Sequence, residues 1–182
     1  MTFHITRGHA TFSENGFYRY DLTRRLALEG PSRTGTVVFV LLNPSTADDK
    51  KEDPTVRRCL GFASRWNFES VRILNIFALR STDPDALYGH PDPVGPDNDD
   101  AISKWSGLDQ AARVVLAWGS HGEFRDRGFW VGQGILALRN FTEVYCFGAT
   151  KRGQPLHPLY LRADRPLVEI TSNIPWMQKV RA

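Results

Sequence analysis

The feature that most constrains the fold is an alternation of short apolar runs with segments of helical spacing. Four runs rich in β-branched and aromatic residues are too short for buried helices, and they are predicted to be strands. These strands are residues 36–42, 71–78, 113–118 and 143–147. Uninterrupted apolar strands are typical of a parallel sheet that is covered on both faces.

The segments between these strands have the spacing of amphipathic helices. Asp53-Pro54-Thr55 is a typical helix start, and it precedes a predicted helix at 56–66. Further helices are predicted at 96–107 and 129–140, and residues 167–170 are predicted to add a short edge strand. Strand–helix alternation predicts an α/β protein with three layers, α/β/α, around a four-stranded, mostly parallel central sheet.

The N-terminal region has a different pattern. Residues 9–26 contain two runs with apolar and aromatic residues, separated by Asn15-Gly16, which is a strong signal for a β-turn. We therefore predict an N-terminal β-hairpin, and residues 1–35 comprise this hairpin and a polar loop. The length of 182 residues favours a single domain, 1–182.

Composition excludes several classes of protein. The chain is 41% hydrophobic, lacks an apolar run long enough to cross a membrane, and begins without the apolar core of a signal peptide. Its two cysteines cannot form a disulfide framework. We expect a cytoplasmic monomer with no membrane association, no cofactor and no metal, the aspartates serving as helix caps and solvated groups.

The net charge of +3 is too small to indicate a nucleic-acid partner by itself. Its distribution is uneven, because the middle of the chain is acidic and the C-terminal part is basic. Such a surface could receive a phosphate backbone on one side, and an ordinary solvated surface would have the same composition.

Candidate functional residues are those that follow the predicted strands, because open parallel sheets bind ligands beyond the carboxyl ends of their strands. They are Asn43, Pro44, Ser45, Asn75, Trp118, Gly119, Ser120, His121 and His157. An Asn amide can position a water or read the edge of a base. A rigidly held imidazole can stabilise developing negative charge. Taken singly, each residue also fits a structural role in a turn or helix start.

The order of these segments resembles that of the uracil-DNA glycosylase superfamily. LLNPS resembles its water-activating motif in the Asn-Pro form, and RILNIFALR resembles the strand with its base-reading Asn. VVLAWGSHG resembles its strand-Trp-Gly segment, and LHPLYL resembles its His-Pro loop. The chain also resembles, over about residues 18–161, a bacterial and phage family described as a domain of unknown function. That likeness lies in LNPSTAD, DPTVRRC, DPVGPDND and GQPLHPLYL.

The glycosylase resemblance implies a uracil-DNA-glycosylase-like fold and a specific set of roles. Asn43 would position water, Asn75 would read the base, and His157 would stabilise the departing base. Gly119 and Ser120 would lie near the phosphate backbone, and Phe62 or Phe77 would stack on the base. Phosphate contacts are predicted for Arg57, Arg58, Lys151 and Arg152.

The resulting hypothesis is a DNA glycosylase that binds a flipped, damaged or modified base and hydrolyses its N-glycosidic bond. Its partner would be single- or double-stranded DNA. The alternatives are a non-catalytic reader that binds a nucleotide or modified base in the same pocket, and an enzyme that hydrolyses a free nucleoside or nucleotide.

Overall fold

The structure is a computed structural model that describes residues 3–106, 111–137 and 143–170. Its strands are β1 (His4–Phe12), β2 (Arg19–Ala27), β3 (Arg33–Leu41), β4 (Phe68–Asn75), β5 (Ala111–Leu116), β6 (Glu143–Cys146) and β7 (Val168–Glu169). Its α-helices are α1 (Pro54–Arg65), α2 (Ala86–Gly89), α3 (Asn98–Ser106) and α4 (Arg127–Ala137). Short 3₁₀ segments occupy Ser120–Asp126 and Pro158–Tyr160.

The four strands predicted from the apolar runs form a parallel block in the order β4-β3-β5-β6. β4 ends at Asn75 instead of continuing to residue 78. α3 begins at Asn98 and α4 at Arg127, both within two residues of the predicted starts. The predicted C-terminal ends of these two helices, at 107 and 138–140, lie outside the described residues.

The expectation of a four-stranded sheet is wrong in extent, because one mixed sheet of seven strands contains the parallel block. The predicted hairpin is present, and β2 pairs antiparallel with β4 so that Leu22 lies opposite Ile73. β7 pairs antiparallel with β6 at the other edge, where a short strand was predicted. The added strands cover backbone groups that both edges of the parallel block would otherwise expose.

Hydrophobic clusters cover both faces of the sheet. On one face, α1 contributes Val56, Cys59, Leu60 and Ala63 to a cluster with β2, β3 and β4. On the other face, α3 and α4 contribute Ile102, Val131 and Ile135 to a cluster with β3, β4 and β5. The sheet therefore has a helical layer on each side, as the alternation of strands and helices predicts.

The acidic first turn of α3 holds the chain that follows β4. The Asn98 side chain is fully buried, and its Nδ2 donates to the backbone oxygens of Asn75 (3.0 Å) and Ile76 (3.2 Å). Arg127 donates from Nε to the same Ile76 oxygen (2.7 Å) and pairs through Nη2 with Asp99. These bonds fix the backbone at Asn75, so this part of the acidic stretch has a structural function.

Candidate functional site

A cleft of about 510 Å³ opens at the carboxyl ends of the parallel strands. The segments that follow β3, β4, β5 and β6 all contribute to its wall, as does the N-terminal turn of α1. The structure brings together many of the predicted site residues in this cleft. Those residues are Asn43, Ser45, Asn75, Trp118, Gly119, Ser120, His121 and His157.

The two phenylalanines predicted to stack on a base do not line this cleft. Phe62 is 2% exposed and packs against Trp66 and Phe147, on the face of the sheet that α1 covers. Phe77 is fully buried in the cluster on the opposite face, against Phe124. The stacking assignment is corrected accordingly, because both rings are used to fill the core.

The other predicted contact residues also lie apart from the cleft. Pro44 is buried, and its backbone oxygen accepts a bond from the Ser81 N–H (2.9 Å). Arg57 and Arg58 line a separate pocket along α1. Lys151 is exposed, and exposed Arg152 pairs with Glu123 at 3.0 Å. None of the four basic residues is therefore among the side chains that line the cleft.

Asn43 joins the loop after β3 to the loop after β4. Its Nδ2 donates to the backbone oxygens of Ser81 (3.0 Å) and Pro44 (3.1 Å). These bonds fix the orientation of the amide, and the Oδ1 atom makes no hydrogen bond to the residues that the structure describes. An amide held in this way offers an acceptor, and that acceptor can orient a water molecule.

In Asn75 it is the amide oxygen that is bonded, and its partner is Arg19, a residue of the hairpin. The Arg19 Nη2 donates to Asn75 Oδ1 at 3.1 Å, and each residue is 2% exposed. Asn75 Nδ2 is buried and lacks a partner among the described residues. A buried amide donor without a partner is costly, and it is satisfied when a ligand supplies an acceptor. Asn75 therefore offers a donor to the cleft, and its acceptor is already occupied.

Arg19 also supports the loop that follows β3. Its Nη1 donates to the backbone oxygen of Ala47 at 3.0 Å. Burial lowers the pKa of Arg19 to about 10, so the guanidinium stays protonated at neutral pH. Arg24, five residues further along β2, binds the same loop through Glu52 (2.8 Å) and the backbone of Asp48. The hairpin is thus a structural part of the cleft.

His157 lies at the start of the 3₁₀ segment after the loop that follows β6. Its Nδ1 accepts a long bond from the Leu159 N–H (3.4 Å), which leaves the proton of the neutral ring on Nε2. Burial lowers the pKa of His157 to about 4, although nearby Asp53 acts in the opposite direction. His157 is therefore a neutral hydrogen-bond donor at physiological pH.

Gly119 allows the segment after β5 to approach His157 closely. Its φ is +77°, and a Cβ at this position would lie 3.2 Å from the Cβ of His157. The Gly119 N–H also donates to the Pro155 backbone oxygen at 2.8 Å. A glycine is needed here for both backbone conformation and space.

Trp118 and Gln154 connect the same two segments beneath the surface. The indole Nε1 of Trp118 donates to Gln154 Oε1 at 2.7 Å, and Trp118 is 1% exposed. Gly122 and Gly128 pack directly on this pair, since an added Cβ would lie 2.1 Å and 2.6 Å from indole atoms. Trp118 is consequently a fixed wall of the cleft.

Two aromatic side chains, one in the cleft and one bonded to a residue that lines it, were not identified from the sequence. Tyr160 lines the cleft and is 88% exposed. Tyr88 bonds through its hydroxyl to Nδ1 of His121 at 2.8 Å and packs on Phe124. Tyr160 lies two residues after Pro158, so its closeness to the Leu156-His157-Pro158 motif was the available signal.

Asp53 is the carboxylate of the cleft. Its Oδ1 accepts from the Val56 N–H at 2.8 Å and caps α1, as the Asp-Pro-Thr start predicts. Asp53 is 5% exposed, lines the cleft, and acts electrostatically on both Arg19 and His157. The sequence indicates that Asp53 caps α1, whereas its electrostatic effect on Arg19 and His157 depends on the tertiary fold.

Metal-binding clusters and membrane-spanning helices were also sought. Within 3–106, 111–137 and 143–170, no three His, Cys, Asp or Glu side chains are grouped as metal ligands would be. The helices of the same residues include none with the length and hydrophobicity needed to span a membrane. The side chains that line the cleft carry amide, imidazole, carboxylate, guanidinium and hydroxyl groups.

Comparison with known proteins gives one family. Neither the curated proteins nor the solved structures include a match to this chain. A family model described as "Protein of unknown function (DUF1643)" matches residues 19–159. This range begins at Arg19 and includes Asn43, Asn75 and His157, so it contains the principal side chains of the cleft. Since the match covers most of its length, the chain belongs to the DUF1643 family of proteins of unknown function.

Proposed function

We propose that the cleft binds a nucleobase rotated out of DNA and that the protein hydrolyses its N-glycosidic bond. The observation that carries this proposal is the convergence of Asn43, Asn75 and His157 on one cleft, with Asn75 Nδ2 buried and unpartnered. The order of the four motifs, which resembles that of the uracil-DNA glycosylase superfamily, supports the same reading. A uracil-DNA-glycosylase-like fold is part of the proposal.

Asn75 would select the base. Because Arg19 already bonds to Oδ1, the group of the amide without a partner is Nδ2, and it would pair with a carbonyl oxygen or a ring nitrogen lone pair. A base with an amino group at that position would leave the buried Nδ2 unpaired. Such a mismatch is strongly disfavoured in a site built around a hydrogen bond.

Bond cleavage would develop positive charge on the sugar and negative charge on the base. The neutral His157 would donate from Nε2 to the base as it gains charge, at a site from which burial excludes much water. Asn43 Oδ1 would accept a hydrogen bond from the water that attacks the sugar carbon. The attacking water would supply hydroxide to the sugar, its proton would pass to Asp53, and solvent would protonate the departing base.

A non-catalytic reader is the second candidate. Asn43 favours it in one respect, because its Nδ2 is used in bonds to Ser81 and Pro44 that maintain the loop structure. A protein that only binds a base needs Asn75 and His157, whereas Asn43 could then be purely structural. The two candidates differ in whether the glycosidic bond is broken.

The experiment is a screen for base release. Oligonucleotides that carry uracil, hypoxanthine, a thymine mismatch or a hypermodified pyrimidine would be incubated, single- and double-stranded, with the wild type and the Asn43→Ala variant. Alkaline cleavage would reveal abasic sites. If the protein is a glycosylase, the wild type should produce abasic sites. Asn43→Ala should release the base at least tenfold more slowly and bind the oligonucleotide with similar affinity.

A matched control is needed because Asn43 also has bonds to the backbone. Ser45→Ala removes a cleft hydroxyl without affecting these bonds, and it should retain most activity. Thermal unfolding of each variant would show whether the fold is preserved. Binding of a modified base without any abasic product would contradict hydrolysis and support the reader.

A further inference from the structure

A second pocket lies along α1 and is lined by three arginines. Arg57, Arg58 and Arg65 surround a hollow of about 140 Å³ together with Gly61, Phe62 and Ala163. The first two arginines are predicted from the sequence to contact phosphates. They face a different pocket, to which Arg65 adds a third positive charge.

Carboxylates compensate these positive charges only at a distance, since Arg65 acts electrostatically on Asp164. The ion pairs among the described residues do not include Arg57, Arg58 or Arg65. Asp164, which follows pocket residue Ala163, is engaged by Arg162 through two bonds of 3.1 Å. Three guanidinium groups close to one another repel, and a bound anion would relieve that repulsion.

Arg58 provides a second indication of a ligand. Its Nε is buried and makes no hydrogen bond to the described part of the chain, while its guanidinium carbon lies 5.3 Å from the ring centre of Phe62. Stacking on Phe62 restricts the orientation of the guanidinium plane. A fixed guanidinium with a buried, unpartnered donor is suited to a phosphate oxygen.

Gly61 leaves the space that this anion would occupy. It lines the pocket, and a Cβ built on it meets no atom within 4 Å beyond its chain neighbours and the backbone of its own helix. Glycine in a helix interior destabilises the helix relative to alanine. A side chain could fit at this position without a clash, and it would extend into open space beside the arginines.

We infer that Arg57, Arg58 and Arg65 bind a backbone phosphate of a polynucleotide whose target base occupies the cleft. The second half of this inference rests on the proposed function. Gly61 follows Pro54 by seven residues, so the pocket lies about 10 Å along α1 from the helix end that lines the cleft. Phosphates in a B-form strand rise about 3.4 Å per nucleotide, so the bound phosphate is about three nucleotides from the base.

The test uses Gly61→Glu, which places a carboxylate in the pocket and leaves the arginines intact. Gly134→Glu is the matched control, because Gly134 is also a helical glycine whose added Cβ meets no atom within 4 Å. Both variants change the net charge equally. Thermal unfolding would establish that both are folded.

Binding would be measured by fluorescence anisotropy with a labelled single-stranded oligonucleotide of about eight nucleotides, over a series of salt concentrations. We expect Gly61→Glu to weaken binding about tenfold at low salt and to reduce the slope of log affinity against log salt by about 0.7. Gly134→Glu should behave like the wild type. Equal weakening in both variants, or no change in Gly61→Glu, would overturn the inference.

Two further measurements separate the possible sources of the phosphate and the two proposals. In one outcome, the wild type binds inorganic phosphate and Gly61→Glu leaves the affinity for the oligonucleotide unchanged. That result would identify a free-phosphate site and overturn the polynucleotide assignment. Weaker oligonucleotide binding by Gly61→Glu, without base release by the wild type, would support the arginine pocket and refute hydrolysis. If the wild type and Gly61→Glu both release the base and bind DNA with equal affinity, hydrolysis is supported and the arginine pocket is refuted.

Discussion

Arg19 on β2 donates a hydrogen bond of 3.1 Å to Oδ1 of Asn75 on β4. β4 is two strands later in the chain, but it lies next to β2 in the sheet. Both residues are 2% exposed. The bond determines which end of the Asn75 amide faces the cleft, and it makes the N-terminal hairpin part of the candidate site. The orientation of the Asn75 amide thus depends on a residue distant in sequence from the four strand-end motifs.

Replacing Arg19 by Met tests this dependence. The change leaves Asn75 Oδ1 and the Ala47 oxygen without their donor, and each loss costs about 1–3 kcal/mol of stability. Urea denaturation would measure the difference. Arg25→Met is the control: it removes an exposed pair with Glu69 and should cost less than about 1 kcal/mol. Similar destabilisation by both changes would contradict a central structural function for Arg19.

Asn75→Asp tests the donor that Asn75 offers to the cleft. The carboxylate can still accept from Arg19, but it presents an oxygen where Nδ2 stood. We expect binding of a base with a carbonyl at this edge to fall at least tenfold, measured by titration with the base. Asn75→Ala removes the partner of Arg19 and should be less stable than Asn75→Asp by about 1–3 kcal/mol. Retained binding by the Asp variant would refute the donor assignment.

Gly122→Ala tests the rigid packing of Trp118. The added methyl group would lie 2.1 Å from Cδ1 of Trp118, so the wall of the cleft must shift, at a cost of about 1–3 kcal/mol or more. Gly134→Ala is the control in a helix with open space, and it should stabilise the protein by about 0.5–1 kcal/mol. Calorimetry would compare their melting temperatures. A Gly122 variant as stable as the wild type would show that Trp118 is free to move.

The lowered pKa of His157 predicts a dependence of stability on pH. Burial gives the folded form a pKa of about 4, below the ordinary value of 6.5, so the unfolded chain binds the proton more readily. The contribution of His157 is complete above pH 6.5 and declines as the pH falls towards 4, by up to about 3 kcal/mol. His157→Gln should lose this component, and denaturation at several pH values would show it. Parallel pH profiles for the two proteins would contradict the buried, neutral imidazole.

Much of the site could be predicted because parallel strands end at the same edge of a sheet. That rule is sufficient to bring Asn43, Asn75 and His157 to one cleft from three separate segments. The Asp-Pro-Thr helix start and the Asn-Gly turn of the hairpin are local signals, and both occur where the sequence predicts them.

The remaining features depend on long-range contacts. Nothing local indicates that β2 joins the sheet beside β4, so Arg19 could not be assigned to the site from its own segment. Phe62 is different, because its spacing from Val56 and Cys59 marks the buried stripe of α1 and could have excluded it as a stacking ring. The extent of the central sheet was underestimated for the same reason, because the pairing of the predicted hairpin with β4 is a long-range contact.

The most direct measurement of base binding is an NMR titration of the Asn side-chain amides with free uracil, a base whose carbonyls can accept from Asn75 Nδ2. The Asn75 signal would be assigned by its absence in Asn75→Asp. We expect uracil to shift the Asn75 Nδ2 protons downfield as they gain an acceptor. The signal of Asn98, whose Nδ2 is bonded to backbone oxygens, should change little. Saturation of the protein with uracil without a change at Asn75, or no binding at all, would contradict the cleft as a base-binding site.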